Sequence, residues 1–348
     1  MAIIDKSNDF FNCLLYSGNG SSGHAITGVG FSPNMVWMKK RDGTPNHYLW
    51  DTVRGVEKAN TPNDARPQSD QVNGLTAFGS DGFTVGSDGD VNSGSMVSWN
   101  WKTGTSVSGN TGGSGTAKSY SGSVNTDSGV SIISYTGNGS AGHTIPHHLG
   151  AVPQLVIIKV TIGDTNNWGV YHHSMGATKA MYLDGAGAET NDSFLNNTTP
   201  SSSAVTLGGS GMTNANGNTF VMYSFSPKQS FSKFGKYKGN GSSNGQVVYT
   251  GFSPAFVIIK NRDAGEAWQM FDNQRLTFNQ PNGRYSLNCN LSSAEYQGAP
   301  LIDLLSGGFK LTTNTNSLNV TQNYIYWAFA SNPFVTSTDN NSIPGLAV

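Results

Sequence analysis

One phrase occurs three times in this chain, and that recurrence constrains the fold more tightly than any composition. Tyr16 opens YSGNGSSGH, Tyr135 opens YTGNGSAGH and Tyr237 opens YKGNGSSNG. Each phrase leads, 23, 24 and 23 residues after its Tyr, to a lysine near the end of an apolar run: Lys39, Lys159 and Lys260. An aromatic segment follows 11, 12 and 11 residues later: Trp50-Asp51, Tyr171-His172 and Phe271-Asp272. Each segment then closes on alternating aromatics, at Trp99 and Trp101, Tyr223 and Phe225, Trp327 and Phe329. Phrases kept in one order at one spacing mark a duplicated unit.

The unit reads as β. In VVYTGFSPAFVIIK a strand, a Gly/Pro turn and a short β-branched run follow one another, with Val257, Ile258 and Ile259 in the run. Aromatics two apart share one face of a strand. Gly18 to Gly20 has the composition of a turn that needs positive φ. Helical periodicity is nearly absent; the best helix candidate, 292–306, promises one short turn at most. Charged residues make up 12% of the chain, against ~25% in ordinary domains. Gly, Ser, Asn and Thr supply the polarity instead, which favours turns and strands.

These features predict an all-β chain of three tandem β-sandwich repeats. The first choice is a jelly roll of concanavalin-like type; an immunoglobulin-like sandwich is the alternative. The repeats fall at 1–102, 130–230 and 231–335, with a tail at 336–348. Between the first two lies 103–129, rich in Gly, Ser and Thr and nearly free of large apolar residues, which reads as a flexible or extended tether. The second and third repeats, with no such spacer, should pack as a rigid pair.

Charge and motifs exclude several classes. The net charge is −1, and the longest basic cluster is Lys39-Lys40-Arg41, which argues against nucleic acid. No run reaches a membrane span, and MAIIDKSNDFF carries no apolar signal segment, so synthesis in a cytoplasm is expected. Cys13 and Cys289 lie in different repeats and are read as buried thiols. HExxH and CxxC motifs are missing, and the GNGS phrase lacks the ending of a phosphate loop. The chain is therefore read as no enzyme and as needing no cofactor.

The long phrases carry a resemblance. LLYSGNGSSGHAITGVGFSPNMVWMKKRDGTPNHYLWDTVRG, SIISYTGNGSAGHTIPHHLGAVPQLVIIK and SKFGKYKGNGSSNGQVVYTGFSPAFVIIK resemble a repeat family of virion structural, fibre or lectin-like proteins of marine tailed bacteriophages. The similarity covers roughly residues 8 to 335. It implies association with a virion and a sandwich fold, and it transfers no catalytic residue. Only about ten residues precede the first repeat, which departs from a fibre with an N-terminal anchoring domain.

Several clusters were weighed as sites. His143, His147 and His148 with His172 and His173 could converge on a metal if their strands pair, but loop-edge positions are the expectation. Asp88, Asp90 and Asn92 alternate as Ca²⁺ ligands do, without the glutamate of an EF-hand, so a solvated turn is expected. Asp51 with Arg54 and Asp272 with Arg275 recur as pairs and are read as ion pairs or turn anchors. For ligand contact the candidates are Trp168, Asn167, His172, Trp268 and Glu266. A ring beside amide or acid groups can stack on a sugar, although a ring at a fixed repeat position can equally close the sandwich edge.

The expected function is display of β-sandwich repeats on a phage particle, as a tail fibre or appendage for host attachment. Capsid decoration is the alternative, and glycan depolymerisation a remote one. Partners would be other virion proteins and a host surface glycan, with a homo-oligomer such as a trimer adding avidity.

Overall fold

The computed structural model describes residues 4–275, 284–298 and 301–333. It is all-β, and one sheet topology occurs three times. In the first unit Phe11–Asn19, Ser93–Trp101, Met35–Lys40 and Tyr48–Asp51 lie side by side in that order. The second unit repeats it with Val130–Thr136, Thr219–Phe225, Leu155–Ile162 and Gly169–His172, and the third with Ser232–Lys238, Asn323–Pro333, Phe252–Asn261 and Gln269–Asp272. The register is equivalent as well. Met35 faces Trp101, Leu155 faces Phe225 and Phe256 faces Phe329.

A smaller antiparallel sheet covers one face of each main sheet and makes a sandwich. It consists of His24–Thr27, Gly82–Val85 and Leu75–Gly79 in the first unit, and of Val247–Tyr249, Gly308–Leu311 and Ile302–Leu305 in the third. In the second unit His143–Pro146 lies between Ala204–Leu207 and Gly112–Gly113.

The apolar runs before each lysine are buried on both faces, and strand alternation divides them between two cores. Val36 and Met38 pack inside the first unit, Val156 and Ile158 inside the second, Val257 and Ile259 inside the third. Their neighbours Met35 and Trp37, Leu155 and Ile157, Phe256 and Ile258 point the other way into one shared core. The alternating aromatics point there too: Trp99, Trp101, Tyr223, Phe225, Trp327 and Phe329 all belong to it. Phe11 of the first unit stacks on Phe329 of the third at 5.1 Å between ring centres. Each unit thus has a small interior of its own, and the three main sheets back onto a common centre.

Two expectations change. Segment 103–129 is not a tether. Thr105–Asn110 and Ser119–Asn125 form a hairpin that pairs onto Val130–Thr136 and extends the second unit's main sheet. Few apolar residues suffice because only Tyr120 and Val124 need to enter the core. Gly122 permits the close approach, since a Cβ there would lie 2.4 Å from the Ile133 side chain. The first unit is also no loose neighbour of a rigid pair, because it shares the central core with both others. Residues 292–306 hold Tyr296–Gly298 and Ile302–Leu305 as strands, and the one α-helical turn among the described residues is Gly211–Asn214. Tail 336–348 lies outside the described residues. Both cysteines are buried free thiols. Among the described residues no helix is long and apolar enough to cross a membrane.

Candidate functional site

The polar chemistry of this protein is concentrated at three seams where the units meet, and all three run in the same sense. The loop after the fourth strand of each main sheet reaches the next unit. Gln68 N–H donates to the Thr161 carbonyl, Glu189 N–H to Arg262 and Glu295 N–H to Arg41. First therefore meets second, second meets third, and third meets first, a head-to-tail arrangement that closes into a ring.

Side chains repeat the pattern. Trp168 donates its indole N–H to the carbonyls of Thr61 and Asp64, and Trp268 donates to Tyr182 and Gly185. At the third seam His47 stands at the corresponding position, accepts from the Trp37 indole, and lies against the backbone of Asn288 and Leu291. Its Nε2 has no hydrogen-bond partner of good geometry. Burial pushes its pKa down.

The repeat lysines lie at the same seams, with 1% exposure or less, and their ammonium groups cap backbone carbonyls. Lys159 donates to Ala65 of the first unit, Lys260 to Ala186 of the second, and Lys39 to Lys40 and Gly43. Burial lowers the pKa of each to about 8. Lys159 and Lys260 stand over the Trp168 and Trp268 rings at 5.7 and 6.0 Å.

The Asp/Arg pairs are buried fasteners. Asp51 binds Arg54 at 2.6 Å and accepts from Tyr223 Oη of the second unit at 2.7 Å. Asp272 binds Arg275 at 2.6 Å and accepts from Trp99 Nε1 of the first unit at 2.9 Å. Arg275 also reaches Glu295, which Arg41 grips from across the seam. The second unit has His172 in this place, with Nε2 against the Tyr326 carbonyl of the third unit at 3.2 Å. Complete burial, then the neighbouring His173, lower the His172 pKa to about 3, so the ring is neutral.

The five ligand-contact candidates therefore separate. Trp168, Trp268 and His172 are 0% exposed inside the seams, so their rings offer no platform to a sugar and close the edges between units. Asn167 is exposed and Glu266 half-buried, but without the rings they form no stacking site. The histidines do not converge: His143 binds Asn214 and Thr111, His147 the Ser201 carbonyl, His148 Tyr120, and His173 the Phe234 carbonyl. Among the described residues no group of three His, Cys, Asp or Glu is placed to hold a metal. Asp88 and Asp90 shape their turn, with Asp88 accepting the Asp90 N–H and Asp90 accepting from Tyr48.

Sequence reasoning placed Asn92 in a solvated turn and missed that it is buried and recurs. Asn92, Asn214 and Asn319 are 0% exposed, and each anchors the GNG phrase of its unit. Asn214 accepts from Asn138 N–H and His143 and donates to the Ser140 and Gly208 carbonyls. Asn92 and Asn319 do the same for their own turns. The second glycine of each phrase has the positive φ expected of it: +71° at Gly20, +74° at Gly139 and +70° at Gly241. The anchors lie 7, 9 and 8 residues before Trp99, Tyr223 and Trp327. That drift hides them from a search for fixed spacing.

Among the clefts on the surface of the described residues are two near the unit junctions. One, of about 490 Å³, lies between the first unit and the hairpin and is lined by neutral residues, among them Asn34, Thr52, Ser106 and Ser121. The other, of about 420 Å³, lies where the second unit passes into the third and is lined by Lys228, Ser230, Lys233 and Tyr249, among others.

In comparisons with known proteins, one family model matches residues 6–333; its description is "Domain of unknown function (DUF7483)". No curated protein and no solved structure matches.

Proposed function

The chain belongs to the DUF7483 family, and we propose that it serves as a rigid, non-enzymatic surface protein of a phage particle, holding loops outward for attachment to a host. The phrases that resemble marine phage virion repeats bring in the particle. The observation that carries the role is the closed ring: buried lysines, arginines and carboxylates are spent on joining units rather than gathered in a cleft. A scaffold held this way can carry variable loops without moving. Neither cleft described above has a carboxylate in its lining. A glycoside hydrolase needs two, so neither of these clefts supplies a depolymerase site.

Capsid decoration is the second reading. The threefold disposition of the units suits a lattice position of the same symmetry. The test has two parts. Antibody against the purified chain should label intact particles, at the tail for attachment and over the head for decoration. The fluorescent chain should bind susceptible cells. Unlabelled particles would end the virion reading, and labelled particles with cells left bare would end the attachment reading.

A further inference from the structure

We propose that the cleft at the junction of the second and third units binds an acidic sugar, with a carboxylate held by lysines and the ring laid on Tyr249. This deepens the attachment reading and rests on it. Tyr249 is 60% exposed, an unusual position for a large ring in a chain that buries its aromatics so completely. Its ring is not left loose. Lys233 donates to the Tyr249 carbonyl at 2.8 Å and stands 5.4 Å from the ring centre. Gly251 and Gly307 flank the ring and bring no side chain of their own against its edges.

Opposite the ring, the turn 228–232 is pinned by Lys228 N–H on Ser232 Oγ and by Ser232 N–H on the Lys228 carbonyl. It holds Ser230 at φ +62°, a conformation non-glycine residues rarely adopt and one associated with ligand sites. Ser230 is 8% exposed and lines the cleft, and its hydroxyl has no hydrogen-bond partner among the described residues. Lys228 and Lys233 line the same space, and no acid does. Neither lysine takes part in an ion pair among the described residues. The floor is Phe252. The volume falls within the ~300–1,000 Å³ of small-molecule sites. An aromatic face, a free hydroxyl and two unpaired cations together select a ligand with an apolar ring face, hydroxyls and a negative charge. A hexuronic acid unit has all three.

The test is calorimetric titration of the whole chain with a tetrasaccharide of uronic acid, a neutral tetrasaccharide and inorganic phosphate. The uronate should bind, with the neutral sugar and phosphate weaker by at least about tenfold. Tyr249→Ala and Lys228→Glu are surface changes that should leave the melting temperature unchanged and each weaken uronate binding by at least about fivefold. No uronate binding, equal binding of phosphate, or equal binding by both variants would overturn the assignment. Cell labelling by the same variants separates the two proposals. If the chain labels cells and uronate does not compete, this site is wrong and attachment stands. If uronate binds as described and cells stay bare, the site stands and attachment falls.

Discussion

Arg275→Met is the sharpest probe of the seams. Methionine matches the aliphatic stem but removes the guanidinium, which bonds Asp272 at 2.6 Å, Glu295 at 3.0 Å and the Met270 carbonyl at 3.1 Å. Arg275 and Asp272 are 0% exposed and the Glu295 side chain 2%, so two carboxylates would be left in a dry site. Asp272 would keep the Trp99 indole and Glu295 would keep Arg41, which softens the loss without cancelling it. Breaking a buried pair from one side costs ~3–5 kcal/mol. The cation over the Trp99 ring at 5.5 Å adds a further ~0.5–2 kcal/mol. At ~2.1 cal/mol/K per residue a chain of 348 residues shifts by ~1.4 °C per kcal/mol, so it should melt roughly 5–10 °C lower at pH 7. Lys58→Met is the control. It breaks an ion pair of the same 2.6 Å length whose side chains are 40% and 65% exposed, and should cost no more than ~1 kcal/mol. Differential scanning calorimetry of the wild-type chain and both variants decides the matter. Equal melting shifts for the two variants would show that Arg275 does not fasten the third unit to the first.

Two other outcomes follow from the same structure. Asn214→Ala orphans the Asn138 N–H, one His143 nitrogen and the Gly208 carbonyl, at ~1–3 kcal/mol for each group that water cannot reach, and leaves the Ser140 carbonyl only the His143 N–H; hydrogen exchange should accelerate at 137–142 while the first unit's equivalent turn stays protected, and uniform acceleration would refute the anchoring role. His172 has a folded pKa of about 3 against ~6.5 in the unfolded chain, so below pH 6.5 only the unfolded chain takes the proton. Stability conferred by the neutral ring is complete above that pH and falls as acid is added, by at most ~1.4 kcal/mol per pH unit. Urea titrations between pH 7 and 4 should show a shallower decline for His172→Gln, with His47 and His147 still sloping the profile the same way. An unchanged slope would refute the assignment.

The repeat phrases made the β class legible, because strand alternation and turn glycines are local properties. The aromatics at Trp99 and Trp101 correctly point to one face. What lies beyond that face is not local. Nothing in WNW, YSF or WAF says that three such faces meet one another rather than water or a second sheet. The same gap misassigned 103–129, where Tyr120 and Val124 are enough for a strand that covers an existing edge. Trp168 and Trp268 show the limit most clearly. An indole in a loop reads the same whether a sugar or a neighbouring carbonyl receives its N–H, and only the folded ring reveals that Thr61 and Tyr182 do.

Joining the units in a single polypeptide has a consequence for how they can change. In a homotrimer every substitution appears at all contacts at once, and a residue must suit each of them. Here the three contacts mutate independently. Asp51–Arg54 and Asp272–Arg275 persist at two while His172 and Met175 occupy the third. A feature such as the exposed Tyr249 can then arise on one lobe with no counterpart on its siblings. The proposed sugar site would thus occur once per chain, and multivalent capture through it would require several chains arrayed together.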